Sequence, residues 1–423
     1  MSMNSDEHGE PNTVLEATDP AAILREYQRS DNPDLLRRAI ELMQTTLAHS
    51  PADRDRAFLL ADLGVALHFR YERAGEQADL DAAVSALRKA VTDTPIGDRE
   101  RTGILGNLGN VLRVRFETGG HLTDLDEAIA ALREGADTSD HADPSRYGCL
   151  NNLGIALSTR FQHVGRLSDL DDAIDALNQA IHAGPADHTD AAALRNLGQA
   201  MCLRYDRTRQ PADLDAAINA LQKAVDDTAT HSHDAELFNT TLGNALYNRF
   251  DRTGQRTDLD AAISTFTSAV DATPRDHMHR PRRLGSLGDA LLHRFERTEQ
   301  LPDVDLAIRF FQEALDGTPA HDADRADQLS DLGRGLRVRF HRTGQRADLD
   351  VAITHLQEAA AGNAAGDPDH AHRLGNLGLA LEDRFARSAQ LSDLDSAVQN
   401  LQLAVKGIPD GDLSHSYWLS ALA

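Results

Sequence analysis

The feature that most constrains this chain is an internal repeat of 45 residues. A Leu-Gly dipeptide recurs along the sequence, and its glycines are Gly64, Gly109, Gly154, Gly198, Gly243, Gly288, Gly333 and Gly378. Successive glycines lie 45 residues apart, except for one interval of 44. A period of this length is typical of helical-repeat arrays, in which each unit buries its apolar face against its neighbours. The sequence therefore predicts a repeat array rather than a single compact core.

Each unit has the pattern of two helices. In "LFNTTLGNALYNRF" (237–250) apolar residues recur at steps of three to five, and "DLDAAISTFTSAV" (258–270) repeats such a stripe. This spacing indicates amphipathic helices. Polar segments with glycine or proline separate them, and no alternating strand pattern occurs. We expect an all-α solenoid with an acidic, disordered tail over 1–20, a degenerate capping repeat over 21–56, eight repeats over 57–408 and a capping helix over 409–423.

The repeat resembles the tetratricopeptide repeat. The matching segments are "NLGNVLRVRF" with "LDEAIAALREG" (107–135) and "TLGNALYNRFDRTG" with "LDAAISTFTSAVDATP" (241–274). The resemblance implies a right-handed superhelical solenoid of helix-turn-helix units over roughly 57–408. The unit is longer than the roughly 34 residues usual in that family. Long-period versions are similar to arrays found beside CHAT protease or signalling NTPase modules in bacterial and fungal proteins.

Charge and cysteine content limit the partners and the compartment. The formal net charge is −24, from 43 basic and 67 acidic residues. Such a surface repels phosphate, so we expect no nucleic-acid partner. Two cysteines in 423 residues favour a reducing cytoplasm over a disulfide framework. The N-terminus is polar and no long apolar stretch occurs, so no membrane association is expected.

Catalytic and metal-binding motifs are missing from the sequence. None of the three lysines follows a glycine, which rules out a P-loop, and neither G-x-S-x-G, H-E-x-x-H nor paired C-x-x-C occurs. His231 with His233, and His277 with His279, could each hold a metal, but loop histidines vary in register between repeats. We interpret them as solvated, and expect neither metal nor cofactor.

An acidic pair and an arginine recur in every repeat. The pair has the form Asp-x-Asp, as at Asp258 and Asp260, and the arginine precedes an aromatic residue, as at Arg249. We expect the first aspartate to cap the second helix and the second to lie in its first turn. The arginine lies near the end of the first helix, where a cation is favourable, and it could also fork onto the aspartate of its own repeat. The functional alternative is a ladder of positive charge along the groove for an acidic ligand. Eight copies argue against a metal site.

Candidate binding residues are those that vary while their neighbours recur. The resemblance implies that the first helix lines a concave groove, where an asparagine amide can hydrogen-bond an extended ligand; packing against the adjacent helix is the alternative. The positions two before, one after and four after the Leu-Gly glycine place a polar set in repeats 2 to 5: Asn107, Asn110, Arg113, Asn152, Asn196, Gln199, Asn244 and Tyr247. Arg334 and Arg337 form a separate predicted anion-binding spot.

These observations favour a non-catalytic scaffold that binds a peptide or protein partner in its groove and regulates another protein. One alternative is an enzyme or small-molecule binder, for example in a biosynthetic pathway, with a site inside the solenoid. Its candidate groups are His68, Tyr247, His293 and Glu382. Another alternative is the sensor portion of a protease or NTPase signalling system.

Overall fold

The structure is a computed structural model that describes residues 19–49, 53–140, 143–183, 191–228, 235–361, 369–408 and 413–422. Within these ranges the chain forms 19 helices and no strand. The predicted tail lies almost entirely outside them, as do His231 and His233. The helices are α1 (Pro20–Ser30), α2 (Pro33–Ala48), α3 (Asp53–Ala74), α4 (Gln77–Asp93), α5 (Arg99–Gly119), α6 (Leu122–Thr138), α7 (Pro144–Val164), α8 (Leu167–Ala183), α9 (Ala191–Thr208), α10 (Pro211–Asp226), α11 (Ala235–Thr253), α12 (Arg256–Ala272), α13 (Arg280–Thr298), α14 (Leu301–Gly317), α15 (Arg325–Thr343), α16 (Arg346–Ala361), α17 (His370–Ser388), α18 (Leu391–Gly407) and α19 (Leu413–Leu422).

Consecutive helices pack as antiparallel hairpins, with the Leu-Gly helix first and the Asp-x-Asp helix second. Such pairs are α3/α4, α5/α6, α7/α8, α11/α12, α13/α14, α15/α16 and α17/α18. The chain divides into two compact units, Met1–Asp213 and Leu214–Ala423, which we call unit 1 and unit 2. The prediction of an all-α fold built from helix hairpins is confirmed.

The Leu-Gly glycine sets how closely the two helices of a hairpin approach. A Cβ atom added to Gly243 would lie 2.6 Å from the ring of the buried residue Phe266. At Gly333 and Gly378 the same addition would meet a leucine of the second helix at 2.6 and 2.7 Å. Cores packed to this density do not accept an extra methyl group without rearrangement. The glycine therefore recurs because two helices touch there.

The first aspartate of each acidic pair does not cap its helix, so that prediction is wrong. The N-cap of α12 is Gln255, whose side chain makes no cap hydrogen bond, and Asp258 is the third residue of the helix. The N-caps of α4, α6, α14 and α18 likewise lack a side-chain bond. Asp258 is buried and accepts two hydrogen bonds from Arg249, from Nε at 2.9 Å and from a terminal nitrogen at 2.7 Å. The carboxylate oxygens that a cap would use therefore accept hydrogen bonds from the arginine.

The forked alternative is correct in all eight repeats. The pairs are Arg70–Asp79, Arg115–Asp124, Arg160–Asp169, Arg204–Asp213, Arg249–Asp258, Arg294–Asp303, Arg339–Asp348 and Arg384–Asp393. The hydrogen-bonded carboxylate raises the pKa of the arginine in each pair. We call this contact the Arg–Asp clamp.

The second aspartate connects one repeat to the next. It lies one position beyond the first helical turn, so the expectation that it occupies that turn is also wrong; the first aspartate does. The remaining arginine nitrogen reaches the second aspartate of the preceding repeat, for example from Arg160 to Asp126 at 2.8 Å and from Arg249 to Asp215 at 3.1 Å. Arginine suits this task better than lysine, because its planar head presents several donors in fixed directions.

Candidate functional site

The predicted binding residues lie on one side of the first helices, at the three varying positions around the Leu-Gly glycine. We call this surface the first-helix face. In unit 1 it belongs to α5, α7 and α9, and α7 packs against both of the others. It carries Asn107, Asn110, Arg113, Asn152, Asn196 and Gln199. Unit 2 holds the remaining four predicted residues, Asn244 and Tyr247 on α11 and Arg334 and Arg337 on α15.

Two amides of unit 1 are free to bind a ligand. Asn107 is exposed and Asn152 is half-buried, and neither side chain makes a hydrogen bond within the described part of the chain. Asn110 is already engaged, because its Oδ1 accepts a hydrogen bond from Arg113 at 3.0 Å. Arg113 also forms an ion pair with Glu117 one helical turn later. The face therefore combines unused amides with an arginine whose charge is balanced.

Asn196 has the packing role that was the alternative for these asparagines. Its side chain is 7% exposed, and its Nδ2 donates to Oδ1 of Asn151 on the neighbouring first helix at 2.9 Å. Its own Oδ1 accepts from Arg195 at 2.6 Å. Asn151, one residue before a predicted site residue, was missed by the sequence reasoning. The contact of Asn151 could have been predicted only by knowing that residues about one repeat apart lie next to each other.

A small cavity of about 100 Å³ opens beside Asn196, between α7 and α9. Ser158, Thr159, Gln162 and Gln199 contribute to its polar lining. Pockets for drug-sized molecules enclose roughly 300–1,000 Å³. This cavity therefore fits one side chain of a ligand rather than a whole metabolite.

The cysteines of unit 1 are not poised for nucleophilic chemistry. Cys202 lies on the first-helix face of α9, and burial raises its pKa to about 12. Burial also raises the pKa of Cys149 to about 12, and its thiol donates to the carbonyl oxygen of Thr102 at 3.3 Å. The reactive form of cysteine is the thiolate. Both thiols are protonated at neutral pH and act as packing groups.

The arginines of unit 2 are paired with carboxylates. Arg334 forms hydrogen bonds to Asp289 on α13 and to Asp331, the second at 3.2 Å. Arg337 donates from Nε to Asp383 at 2.5 Å, and His341 contacts the same oxygen at 2.8 Å. The balance of charge here does not support the anion-binding role predicted for the two arginines. Asp289 occupies the same position in its repeat as Arg334 does in the next one. The sequence shows this equivalence, but it does not show that the two side chains are in contact.

Two carboxylates share the guanidinium group of Arg334, and one of them is perturbed. Burial, reinforced by repulsion from Asp289, raises the pKa of Asp331 to about 8, against the opposing attraction of Arg334. Asp331 keeps 25% of its side-chain surface exposed, so solvent can exchange its proton. The raised pKa means that Asp331 takes up a proton at a higher pH than an ordinary aspartate does.

This shift predicts a pH dependence of stability. Between pH 4 and pH 8, approximately, the folded protein binds a proton at Asp331 that the unfolded chain has released, so the free energy of unfolding falls as pH rises. We expect Asp331→Asn to remove this contribution, measured as the difference between the urea midpoints of variant and wild type across that range. Asp271→Asn, on the exposed side of α12, is the control. A difference that does not change with pH would contradict the assignment.

A larger cavity of about 360 Å³ lies beside this cluster, at the low end of the range for small-molecule pockets. Asp331, Arg334 and Trp418 are among its lining residues. The buried Arg373 also lines it and pairs with Asp327 at 2.5 Å. The small-molecule alternative therefore has more room in unit 2 than beside Asn196.

The four groups considered for catalysis are spread over four helices. Tyr247 and His293 are in contact, with ring centroids 5.5 Å apart, and His293 lies 3.2 Å from Glu296. Burial raises the pKa of Tyr247, so its phenol is neutral, and burial lowers the pKa of His68 on α3. Glu382 is exposed on α17. The Tyr247–His293 pair is thus the one place where two of these groups meet.

Within the described ranges, no group of three or more histidine, cysteine, aspartate or glutamate residues is arranged to hold a metal ion. None of the described helices combines the length and the apolar character needed to cross a membrane.

Comparison with known proteins identifies the fold. No protein-family model matches the chain, and no curated protein matches it. The apo quorum sensor NprR from B. thuringiensis is similar with a TM-score of 0.53 and 12% identity, over 92% of this chain and 99% of that one. The human IFIT1 dimer with m7Gppp-AAAA has a TM-score of 0.51 and 15% identity, over 95% and 80%.

The C-terminal part of a TPR repeat-containing protein from Cytophaga hutchinsonii has a TM-score of 0.46 and 16% identity, over 71% of this chain and 99% of that one. At these identities the likeness concerns the fold. The Leu-Gly helices, their packing against Ala-rich second helices and the structural likeness to NprR and IFIT1 lead to one conclusion. In its fold, the chain is a tetratricopeptide-like helical-repeat protein.

Proposed function

We propose that this protein is a non-catalytic scaffold whose first-helix face in unit 1 binds an extended segment of a partner protein. The observation that carries the proposal is the pair of unengaged amides, Asn107 and Asn152, on neighbouring repeats. A carboxamide both donates and accepts hydrogen bonds. The backbone of an extended peptide presents N–H and C=O groups that can pair with such an amide. The side chains of the peptide provide specificity by entering small pockets.

The cavity beside Asn196 supports a peptide as the ligand. Its volume of about 100 Å³ suits one anchoring side chain, and Gln199 at its edge is exposed. Arg113 supports the same face through Asn110, which it holds in place. In unit 2 we propose Asn244 and Tyr247 as further peptide contacts, with Arg334 and Arg337 acting as ion-paired groups. A scaffold of this kind regulates other proteins by binding them.

The test is selection of peptides from a random displayed library on the wild-type protein, followed by binding measurements with variants. We expect Asn107→Ala with Asn152→Ala to weaken the selected peptides about tenfold or more, because each lost hydrogen bond contributes roughly 1 kcal/mol. Asn219→Ala, an exposed amide on the second helix α10, should change nothing. Peptides that bind the double variant as tightly as wild type would exclude this face as their site.

Nucleic acid is a further ligand to test, because the fold itself does not exclude it. IFIT1, which shares the fold, was solved with m7Gppp-AAAA. The net charge of −24 argues against such a ligand here, since phosphate contacts need an excess of basic groups. In the peptide assay we therefore expect a single-stranded RNA oligonucleotide not to compete at moderate salt. Competition that weakens steeply with added salt would favour RNA over a peptide.

A further inference from the structure

A cavity of about 350 Å³ lies where the hairpin of α15 and α16 meets the hairpin of α17 and α18, at the ends where each first helix turns into its second helix. Three arginines line it: Arg346 is the first residue of α16, and Arg384 and Arg387 lie near the end of α17. Asp350 is the one residue among the described lining that carries a carboxylate. We call this space the arginine cavity.

The contact that joins neighbouring repeats elsewhere does not form at the arginine cavity. In six pairs of repeats, the arginine of the clamp reaches the second aspartate of the preceding repeat at 2.8 to 3.6 Å. Arg384 and Asp350 are the seventh such pair, and within the described chain they form no ion pair, although they lie within electrostatic reach. Arg384 donates to Asp393 from Nε at 2.9 Å and from one terminal nitrogen at 2.7 Å. Its other terminal nitrogen therefore remains available to a ligand.

The other two arginines of the cavity are also available. Arg346 and Arg387 are exposed, and neither forms an ion pair with any residue that the structure describes. The guanidinium group of Arg387 lies 5.2 Å from the centre of the Phe340 ring, and the face of an aromatic ring attracts a cation. This contact positions the charge of Arg387 at the wall of the cavity without using its N–H donors.

The same combination of arginines occurs once more in the array, and there the arginines are engaged. Arg256 and Arg297 occupy the equivalent positions two repeats earlier. Arg256 lies 3.4 Å from Asp260, and Arg297 donates to the carbonyl oxygen of Gly254 at 3.2 Å. The unused donors are therefore a property of the arginine cavity and not of the repeat in general.

We propose that the arginine cavity binds a phosphate monoester. Guanidinium groups present N–H donors in a planar fork that matches phosphate oxygens, and a phosphate monoester offers three terminal oxygens to three such groups. The hydroxyl group of Ser388 is a further polar group in the lining. The volume of about 350 Å³ admits the phosphate together with a small organic group.

The charge of the whole chain limits the ligand to a compact anion. The net charge of −24 disfavours a polyanion, which would bring phosphates close to acidic surface outside the cavity. A phosphorylated side chain of a partner protein and a small phosphorylated molecule both present the required group. The cavity shares no residue with the first-helix face, so a peptide on that face and a phosphate here can bind independently.

Calorimetric titration of the full chain with phenyl phosphate tests this site. We expect saturable binding, about tenfold tighter than that of benzoate, because a carboxylate offers fewer oxygens and less charge. Arg346→Ala and Arg387→Ala should each weaken phenyl phosphate about tenfold, since each removes charged donors. Arg256→Ala, which changes the equivalent but paired arginine, is the matched control and should leave binding unchanged.

A change of the opposite sign tests the charge of the cavity. Asp350→Asn should strengthen the binding of phenyl phosphate about threefold, because it removes a negative charge beside the anion. Absence of saturable binding at millimolar phenyl phosphate would overturn the proposal. Equal losses in Arg346→Ala and Arg256→Ala would also overturn it, because they would indicate general attraction to surface charge.

A phosphoserine peptide and its unphosphorylated form distinguish the two sources of the phosphate. Tighter binding of the phosphopeptide than of phenyl phosphate, with loss of binding when the phosphate is removed, would assign the site to a phosphorylated partner protein. Equal or weaker binding of the phosphopeptide, with phenyl phosphate still dependent on Arg387, would assign it to a small phosphorylated molecule. Urea midpoints close to that of the wild type confirm that the variants are folded.

Discussion

Arg160→Met is expected to lower the free energy of unfolding of its part of the array by roughly 3 kcal/mol. Arg160 donates to Asp169 at 3.0 and 2.7 Å and to Asp126 at 2.8 Å. Asp169 is 2% exposed, so removing the arginine leaves a buried carboxylate without a partner. The lower end of the usual range applies because the side chain of Arg160 keeps 16% of its surface in contact with solvent.

Two measurements check this result. Hydrogen exchange in α7 and α8 should accelerate, and the urea midpoint should fall, although an array unfolds in parts rather than as one unit. Arg166→Met, which changes an exposed arginine between α7 and α8, should have little effect. Changing Asp169→Leu together with Arg160→Met should recover much of the loss, because a buried pair can be replaced by apolar groups at low cost. Failure of the double variant to recover would show that the clamp does more than compensate buried charge.

Two glycine substitutions are expected to act with opposite signs. Gly243→Val should destabilise unit 2 by roughly 1–3 kcal/mol or prevent its folding, because its Cβ alone would lie 2.6 Å from the buried ring of Phe266. Gly148→Ala should stabilise α7 by about 0.5–1 kcal/mol. Gly148 lies within the helix with nothing within 4 Å of an added Cβ, so the gain in helix propensity is not opposed.

Thermal unfolding of both variants, followed by circular dichroism, measures these changes. If Gly243→Val fails to fold, Gly243→Ala provides a milder version of the same clash. A neutral result at Gly243 would mean that Phe266 can move aside, and that the Leu-Gly motif is not explained by helix contact. A loss of stability at Gly148 would instead reveal a contact of that position that the structure does not show.

The Asp-x-Asp motif shows where reading the sequence locally fails. Two carboxylates before an Ala-rich helix satisfy the rules for capping, which concern neighbours in the chain. The actual partners are an arginine nine residues earlier and another in the following repeat, 34 residues away, as for Asp215 and Arg249. Recurrence of the arginine at a constant distance was visible in the sequence. The choice between a cap and a clamp required the position of the second helix beside the first.

The sequence alone determined the class of fold, because a 45-residue period and helical apolar stripes follow from the chain itself. It also located the first-helix face. The tertiary structure decided which residues of that face are free: Asn196 is engaged by Asn151 one repeat away, Arg334 by Asp289 at the same distance, and Asn107 by neither kind of contact. Periodicity shows which residues are equivalent from one repeat to the next. How much each of them contributes to stability or binding depends on the side chains that the neighbouring repeat places against it.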